Sequence, residues 1–136
     1  MKKIKIDYLS TLFVGIDIGS RTNVISALNF DQDFLIRMVP VANAQGGAEQ
    51  MEEMVAQVLS QHHEFKAVII GLESTGFYGV HIANYLSTSE KPAPFSTRVY
   101  CLNTNEVKQY KKSFNSLDKN DGIDSFVIAD FARVGR

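Results

Sequence analysis

The chain has 136 residues, the length of one ordinary domain. Since 45% of its residues are apolar, it can bury a hydrophobic core. These figures exclude a disordered or collagen-like chain. The single cysteine, Cys101, excludes an internal disulfide framework and fits a reducing compartment. No apolar run approaches the roughly 20 residues that span a membrane, and no signal-peptide cleavage site follows the basic start. We therefore expect a soluble, cytoplasmic protein with no membrane partner.

Charge is unevenly distributed along the chain, although the net charge is only −1. Residues 42–65 contain four acids and no Lys or Arg, whereas residues 108–119 contain four lysines and one acid. The near-neutral total is not that of a protein that coats DNA. The lysines predict either a local basic surface that binds nucleic acid or an ordinary solvated helix surface. We expect the aromatic residues in and near this stretch, Tyr100, Tyr110 and Phe114, to pack inward; the alternative is that they stack on bases. The lysines are Lys108, Lys111, Lys112 and Lys119.

Five apolar stretches rich in β-branched residues are predicted to form strands. The first two are predicted to form a hairpin around the turn at Gly19–Thr22. The third is predicted to end at Pro40, because proline cannot donate a backbone hydrogen bond. The fourth is apolar enough to lie at the centre of a sheet. The predicted strands are Leu12–Ile18, Asn23–Phe30, Phe34–Val39, Lys66–Leu72 and Arg98–Leu102.

Four helices are predicted between and after these strands. Gly46–Gly47 is predicted to break the chain, and apolar residues then recur at spacings of three and four. The predicted helices are Met51–Leu59, Ser74–Thr88, Asn103–Lys112 and residues 123–136. The order β-β-β-α-β-α-β-α-α predicts a single α/β domain, residues 1–136, in which helices flank a mixed five-stranded sheet.

Two acids are predicted at the carboxyl ends of strands, where α/β sheets collect their ligands. Asp17 lies near the end of the first strand, and Glu73 follows the fourth. Burying an unpaired carboxylate is costly, which favours a functional role for Asp17. The alternatives are that Asp17 caps the following turn and that Glu73 complements the dipole of the next helix.

A second pair of acids, Asp121 and Asp124, is predicted at the start of the last helix. Residues three apart lie about 60° apart around a helix, so the two carboxylates share a face. They repel one another unless a cation joins them. The alternative is that both acids complement the helix dipole. We expect two further acids, Asp118 and Asp130, to be solvated surface residues.

The four carboxylates form a set of hard oxygen ligands that suits Mg²⁺ or Mn²⁺. Two such ions about 3.5–4 Å apart can hold the attacking and leaving oxygens of a phosphodiester. The nucleophile is then water or a sugar hydroxyl, and no side chain has to attack. The sequence therefore predicts metal-dependent phosphoryl transfer.

Three stretches of the sequence resemble the DEDD transposases of the insertion-sequence 110 family and the related Piv-like invertases. They are Gly15–Gly19, Gly71–Tyr78 and Lys119–Asp124. The resemblance implies a ribonuclease H-like fold similar to the RuvC resolvase. It also implies that Asp17, Glu73, Asp121 and Asp124 are the metal ligands and the catalytic residues. Ser125 is a departure, because these proteins usually have Ala there.

The same resemblance implies a function and partners. It implies a transposase or recombinase of the bacterial cytoplasm that uses Mg²⁺ or Mn²⁺ and acts on DNA, namely element ends, targets and branched junctions. It implies a homo-oligomer for the full-length protein and, for some members, a non-coding RNA partner. Family members continue into a second domain that carries a reacting serine. We expect that domain beyond Arg136, so this chain by itself would not recombine DNA.

Two other classes of function stay open on the residues alone. Asp17–Gly19, followed by a hairpin, also resembles the phosphate loop of actin-like ATPases and sugar kinases, which would make the chain an ATP-binding fragment. Such proteins need two large lobes, and the pair of acids near residue 121 has no evident role in them. A non-catalytic docking domain would bind nucleic acid or a second copy of the chain without needing a metal.

Overall fold

The computed structural model describes residues 7–74, 82, 85–86, 96–112 and 123–134. In these residues the strands are β1 (Thr11–Ile18), β2 (Thr22–Leu28), β3 (Phe34–Ala42), β4 (Ala67–Ser74) and β5 (Ser96–Cys101). The helices are α1 (Gln45–Gln61), α2 (Thr104–Lys111) and α3 (Ile123–Arg133). The strands form one sheet in the order β3-β2-β1-β4-β5. The predicted α/β class with a mixed five-stranded sheet is confirmed.

The direction of the strands changes at the centre of the sheet. β2 is antiparallel to both β1 and β3, as the short turns between them require. β4 is parallel to β1, and β5 is parallel to β4. Parallel neighbours need a long crossover connection. For the parallel pair β1 and β4, the chain returns from β3 through α1 to begin β4. The central strands β1 and β4 therefore end side by side at one edge of the sheet.

The main hydrophobic core lies on the face of the sheet that α1 covers. Leu12, Val14 and Ile16 of β1 face this core, and Met51 and Val55 of α1 pack into it. Because side chains alternate along a strand, the residues between them face the other side of the sheet, where α3 lies. No described helix is long and apolar enough to cross a membrane.

Two predicted boundaries are wrong, and packing explains both. β3 continues through Pro40 to Ala42, because β3 is the edge strand of the described sheet, where a missing N–H is tolerated. α1 begins at Gln45 instead of after Gly46–Gly47. A Cβ at Gly47 would lie 1.7 Å from the carbonyl oxygen of Ala42. That glycine therefore lets the first turn of α1 pass close to β3 and does not break the chain.

Apart from one boundary, the other predicted helices agree with the described residues. α2 begins after Asn103, whose side chain accepts hydrogen bonds from the amides of Asn105 and Glu106 at 2.9 and 3.2 Å. Of the helix predicted over residues 74–88, the structure describes Ile82, Tyr85 and Leu86 as helical. Its predicted start at Ser74 is wrong, because Ser74 is the last residue of β4, and the other residues of this range lie outside the described residues.

Helix α3 lies directly on β1 at Gly15. A Cβ there would lie 2.2 Å from the amide nitrogen of Ala129 and 2.3 Å from the carbonyl oxygen of Ser125. The hydroxyl oxygens of Ser26 on β2 and Ser125 on α3 lie 2.7 Å apart in a buried hydrogen bond. The family departure at Ser125 is thus matched by a polar partner on the sheet. These contacts set the position of the first turns of α3.

Replacing Gly15 by Ala is expected to destabilise the protein by about 3 kcal/mol or more, because the added methyl group meets backbone atoms of α3 that cannot rotate away. Urea denaturation measures this change in the free energy of unfolding. Gly46→Ala is the matched control. A Cβ at Gly46 meets nothing within 4 Å, so this helical substitution should be neutral or stabilising by up to about 1 kcal/mol. Equal stability of the two variants would contradict the packing argument.

Candidate metal centre

Asp17 and Glu73 lie side by side where β1 and β4 end. They are direct partners in the parallel register, so their backbones are about 4.8 Å apart. Each follows a glycine by two residues, at Gly15 and Gly71, so each faces α3. Both side chains are half-buried. The expectation that Glu73 follows the strand is corrected, because β4 continues to Ser74.

Asp124 joins these two acids from the first turn of α3. Burial raises the pKa of Asp17, and repulsion from the Asp124 carboxylate raises it further. Burial likewise raises the pKa of Glu73, and the carboxylates of Asp17 and Asp124 add to that rise. Asp17, Glu73 and Asp124 therefore lie close enough for their charges to interact, and we call these three residues the acid cluster. Asp121, the fourth predicted member, lies outside the described residues.

Two lysines of α2 face the acid cluster. The Lys111 ammonium forms an ion pair with Asp124 Oδ1, and both side chains are partly exposed. Lys111 and Lys108 both lower the pKa of Glu73 against the stronger effects of burial and repulsion. Lys112 is exposed, and Lys119 lies outside the described residues. Lysines that the sequence predicts for nucleic acid thus lie beside the carboxylates.

The expectation that Asp130 is a solvated surface residue is wrong. Its side chain is only 1% exposed and accepts hydrogen bonds from Gln32 Nε2 at 3.0 Å, the Tyr110 hydroxyl at 2.6 Å and Arg133 Nε at 2.7 Å. Three partners satisfy the buried carboxylate, which would otherwise be costly. Its place in the apolar stripe of α3, directly before Phe131, is the sequence signal that identifies it as buried.

The hydrogen bond from the Tyr110 hydroxyl to Asp130 joins α2 to α3. Tyr110 also packs edge-on against Phe131, with ring centroids 5.4 Å apart, and Val107 is buried in a cluster with residues of α3. Tyr110 thus packs inward, as predicted, and its hydroxyl donates to Asp130. The same prediction is wrong for Tyr100, which is exposed, and Phe114 lies outside the described residues. Because Lys111 directly follows Tyr110, a firmly packed helix presents its side chain to the acid cluster.

The acidic helix α1 lies on the opposite face of the sheet from the acid cluster. Its apolar residues pack under β1 and β4, whereas Asp17 and Glu73 face α3. Glu52 of α1 is buried and accepts a hydrogen bond from the Tyr85 hydroxyl at 3.0 Å. The charge asymmetry of the sequence is therefore also an asymmetry between the two faces of the sheet.

The donor chemistry of the acid cluster fits a hard divalent cation such as Mg²⁺ or Mn²⁺, which takes carboxylate oxygens as ligands. Burial and, after it, repulsion between the carboxylates raise the pKa values of Asp17 and Glu73, and a bound cation would favour the ionised form of both. The Lys111 ammonium already stands beside Asp124 as a cation. Within the described ranges, no three His, Cys, Asp or Glu side chains lie close enough together to hold an ion as they stand.

Comparison with known proteins identifies the family. The family model of insertion-sequence 110 transposases of the DEDD type, described as "Transposase", matches residues 14–136. The chain belongs to this transposase family. The match to the transposase family spans nearly the whole chain. The alternative, a kinase-type ATP-binding fragment, is therefore not favoured.

Solved structures confirm the fold of this transposase domain. RuvC of T. thermophilus, solved in complex with Holliday junction substrate, is 15% identical with a TM-score of 0.53, over 92% of this chain and 96% of that one. The fowlpox virus Holliday junction resolvase is 16% identical with a TM-score of 0.48, over 92% and 99%. A ROK hexokinase from Thermus thermophilus is 18% identical with a TM-score of 0.41, over 77% and 38%. The RuvC match confirms the ribonuclease H-like fold.

Replacing Asp17 by Asn is expected to raise the melting temperature of the metal-free transposase domain at pH 7. The fold raises the pKa of Asp17, so the folded protein binds this proton more tightly than the unfolded chain does. Ionisation therefore destabilises the fold as the pH rises from the ordinary carboxyl range towards the raised pKa. The gain should be present at pH 7 and should shrink as the pH falls into the ordinary range.

Thermal melts between pH 3 and pH 8 measure this effect. Asp31→Asn, an exposed acid in the turn between β2 and β3, is the control for loss of one negative charge. A stability gain for Asp17→Asn that does not depend on pH would show that the raised pKa is not its cause.

Proposed function

We propose that this transposase domain cleaves and transfers DNA strands with Mg²⁺ or Mn²⁺ bound by Asp17, Glu73, Asp121 and Asp124. The observation that supports this most is the pairing of Asp17 with Glu73 at the shared edge of β1 and β4. The electrostatic effect of Asp124 on both of them adds to it. Carboxylates whose pKa values are raised by burial and by one another are typical of functional sites, and a divalent cation would relieve their repulsion.

We assign a role to each acid from its position in the fold. The central strands hold Asp17 and Glu73 in fixed positions, and α3 brings Asp124 to them. Divalent ions bound by such carboxylates stabilise the charge on a reacting phosphate and activate the attacking oxygen. Half-burial of the acids limits their exposure to water, which strengthens their attraction for a cation.

The proposed substrate is DNA, at element ends, at target sites or in branched junctions. Lys108 and Lys111 of α2 act on the charges of the acid cluster, and together with Lys112, which follows α2, they would contact phosphates that flank the reacting one. We further propose, from the family resemblance, that recombination by the full-length protein requires its homo-oligomer and the second domain with the reacting serine. A non-coding RNA is a further proposed partner.

Cleavage of a branched DNA by the full-length protein tests the catalytic assignment. Asp17→Asn, Glu73→Gln and Asp124→Asn should each lower the cleavage rate in Mg²⁺ by more than the roughly 10–100-fold that loss of an outer partner of a metal site costs. Glu49→Gln removes an exposed acid of α1 on the opposite face and should cleave at the wild-type rate. Undiminished cleavage by any of the three cluster variants would overturn the assignment of that residue.

The salt dependence of DNA binding tests the lysines separately. Lys112→Ala should lower the slope of log affinity against log salt by about one unit, because one phosphate contact is lost. Filter binding between low and physiological salt measures that slope. If the affinity at low salt is unchanged when all four predicted lysines become Ala, the basic residues do not contact DNA.

A further inference from the structure

One ammonium group faces all the described members of the acid cluster. Lys111 forms an ion pair with Asp124 and is close enough to Asp17 and Glu73 to lower the pKa of each. Among the charged groups of the described residues, Lys111 is the one that lowers the pKa of both acids. The cluster therefore already contains a cation that belongs to the protein.

Packing determines where this cation lies. The residue before it, Tyr110, is anchored to the buried Asp130, and Val107 on the same helix is buried against α3. The Cα of Lys111 is thus fixed relative to Asp124, while its ammonium is carried on a flexible four-carbon stem. The side chain can leave the carboxylates without any movement of α2.

A single ammonium is a poor match for this amount of negative charge. It carries one positive charge, whereas a divalent ion carries two and accepts oxygens from several carboxylates at once. Burial and mutual repulsion still raise the pKa of Asp17 and of Glu73 despite Lys111. A divalent ion bound to Asp124 would also repel the nearby Lys111 ammonium, because both carry positive charge.

We propose that Lys111 is an internal counter-ion of the metal centre, which the divalent cation displaces from Asp124 and which then becomes free to contact a DNA phosphate. This inference rests on the proposed metal site. It means that metal binding and DNA binding share one residue. Each should strengthen the other, because either of them removes Lys111 from the acid cluster or keeps it away.

Binding of Mn²⁺ to the 136-residue chain without DNA tests the proposal, with free Mn²⁺ followed by electron paramagnetic resonance. Lys111→Met should bind Mn²⁺ on the order of tenfold more tightly than the wild type, a typical size for coupling between two ligands. Lys111→Arg keeps the charge and should bind no more tightly than the wild type.

Lys66→Met is the control for the loss of one positive charge. Lys66 is exposed at the opposite end of β4, about 23 Å along the strand from Glu73. Screening over that distance should keep its effect on Mn²⁺ affinity below about twofold. Equal affinities of Lys111→Met and Lys66→Met, with Mn²⁺ bound by both, would overturn the role of Lys111 and leave the metal site standing.

A second measurement follows the lysine itself. After reductive ¹³C-methylation of the lysines, the Lys111 signal, assigned by its loss in Lys111→Arg, should shift when Mg²⁺ is added, and the Lys66 signal should not. A Lys111 signal that is unchanged while Mn²⁺ binding is intact would also overturn the proposal. Failure of the wild type and of Lys111→Met alike to bind millimolar Mn²⁺ would instead overturn the proposed metal site, and this inference with it.

Discussion

Helix α3 lies so close to strand β1 that a side chain at position 15 would collide with its backbone. This close approach fixes the distance between the helix and the strand. Asp124 lies on the helix and Asp17 on the strand, each within two residues of the contact between Gly15 and Ser125. The buried hydrogen bond between Ser26 and Ser125 attaches the first turn of the helix to β2. The geometry of the acid cluster is therefore a consequence of how α3 packs on the sheet.

The electrostatics of the site follow from the same packing. Burial and proximity raise the pKa of Asp17 and of Glu73, which means that the fold holds these carboxylates in a place they do not favour when ionised. Asp130, which is more deeply buried, differs because three donors satisfy it. Asp130 thus has a structural role, whereas the less buried Asp17 and Glu73 remain available to bind a cation.

Much of the fold could be predicted from the sequence, because apolar periodicity and the order of elements specify a mixed sheet with helices on its faces. The position of Asp17 and Glu73 at the carboxyl ends of strands could also be predicted, but their direct pairing required β1 and β4 to be parallel neighbours. The roles of Gly15 and Gly47 could not be predicted, since they depend on which backbone passes nearby. The prediction for Asp130 was wrong because an acid in the apolar stripe of a helix is buried where donors from other elements satisfy it, here Gln32 and Tyr110. The contact of Lys111 with Asp124 needed the packing of α2 on α3.

The central claim is that a divalent cation binds where β1, β4 and the start of α3 meet. Substoichiometric Mn²⁺ added to ¹⁵N-labelled protein broadens the amide signals of residues close to the bound ion. The account predicts that signals around Asp17, Glu73 and Asp124 broaden first. Broadening centred instead on the exposed acids Glu49 and Glu53 of α1 would contradict it.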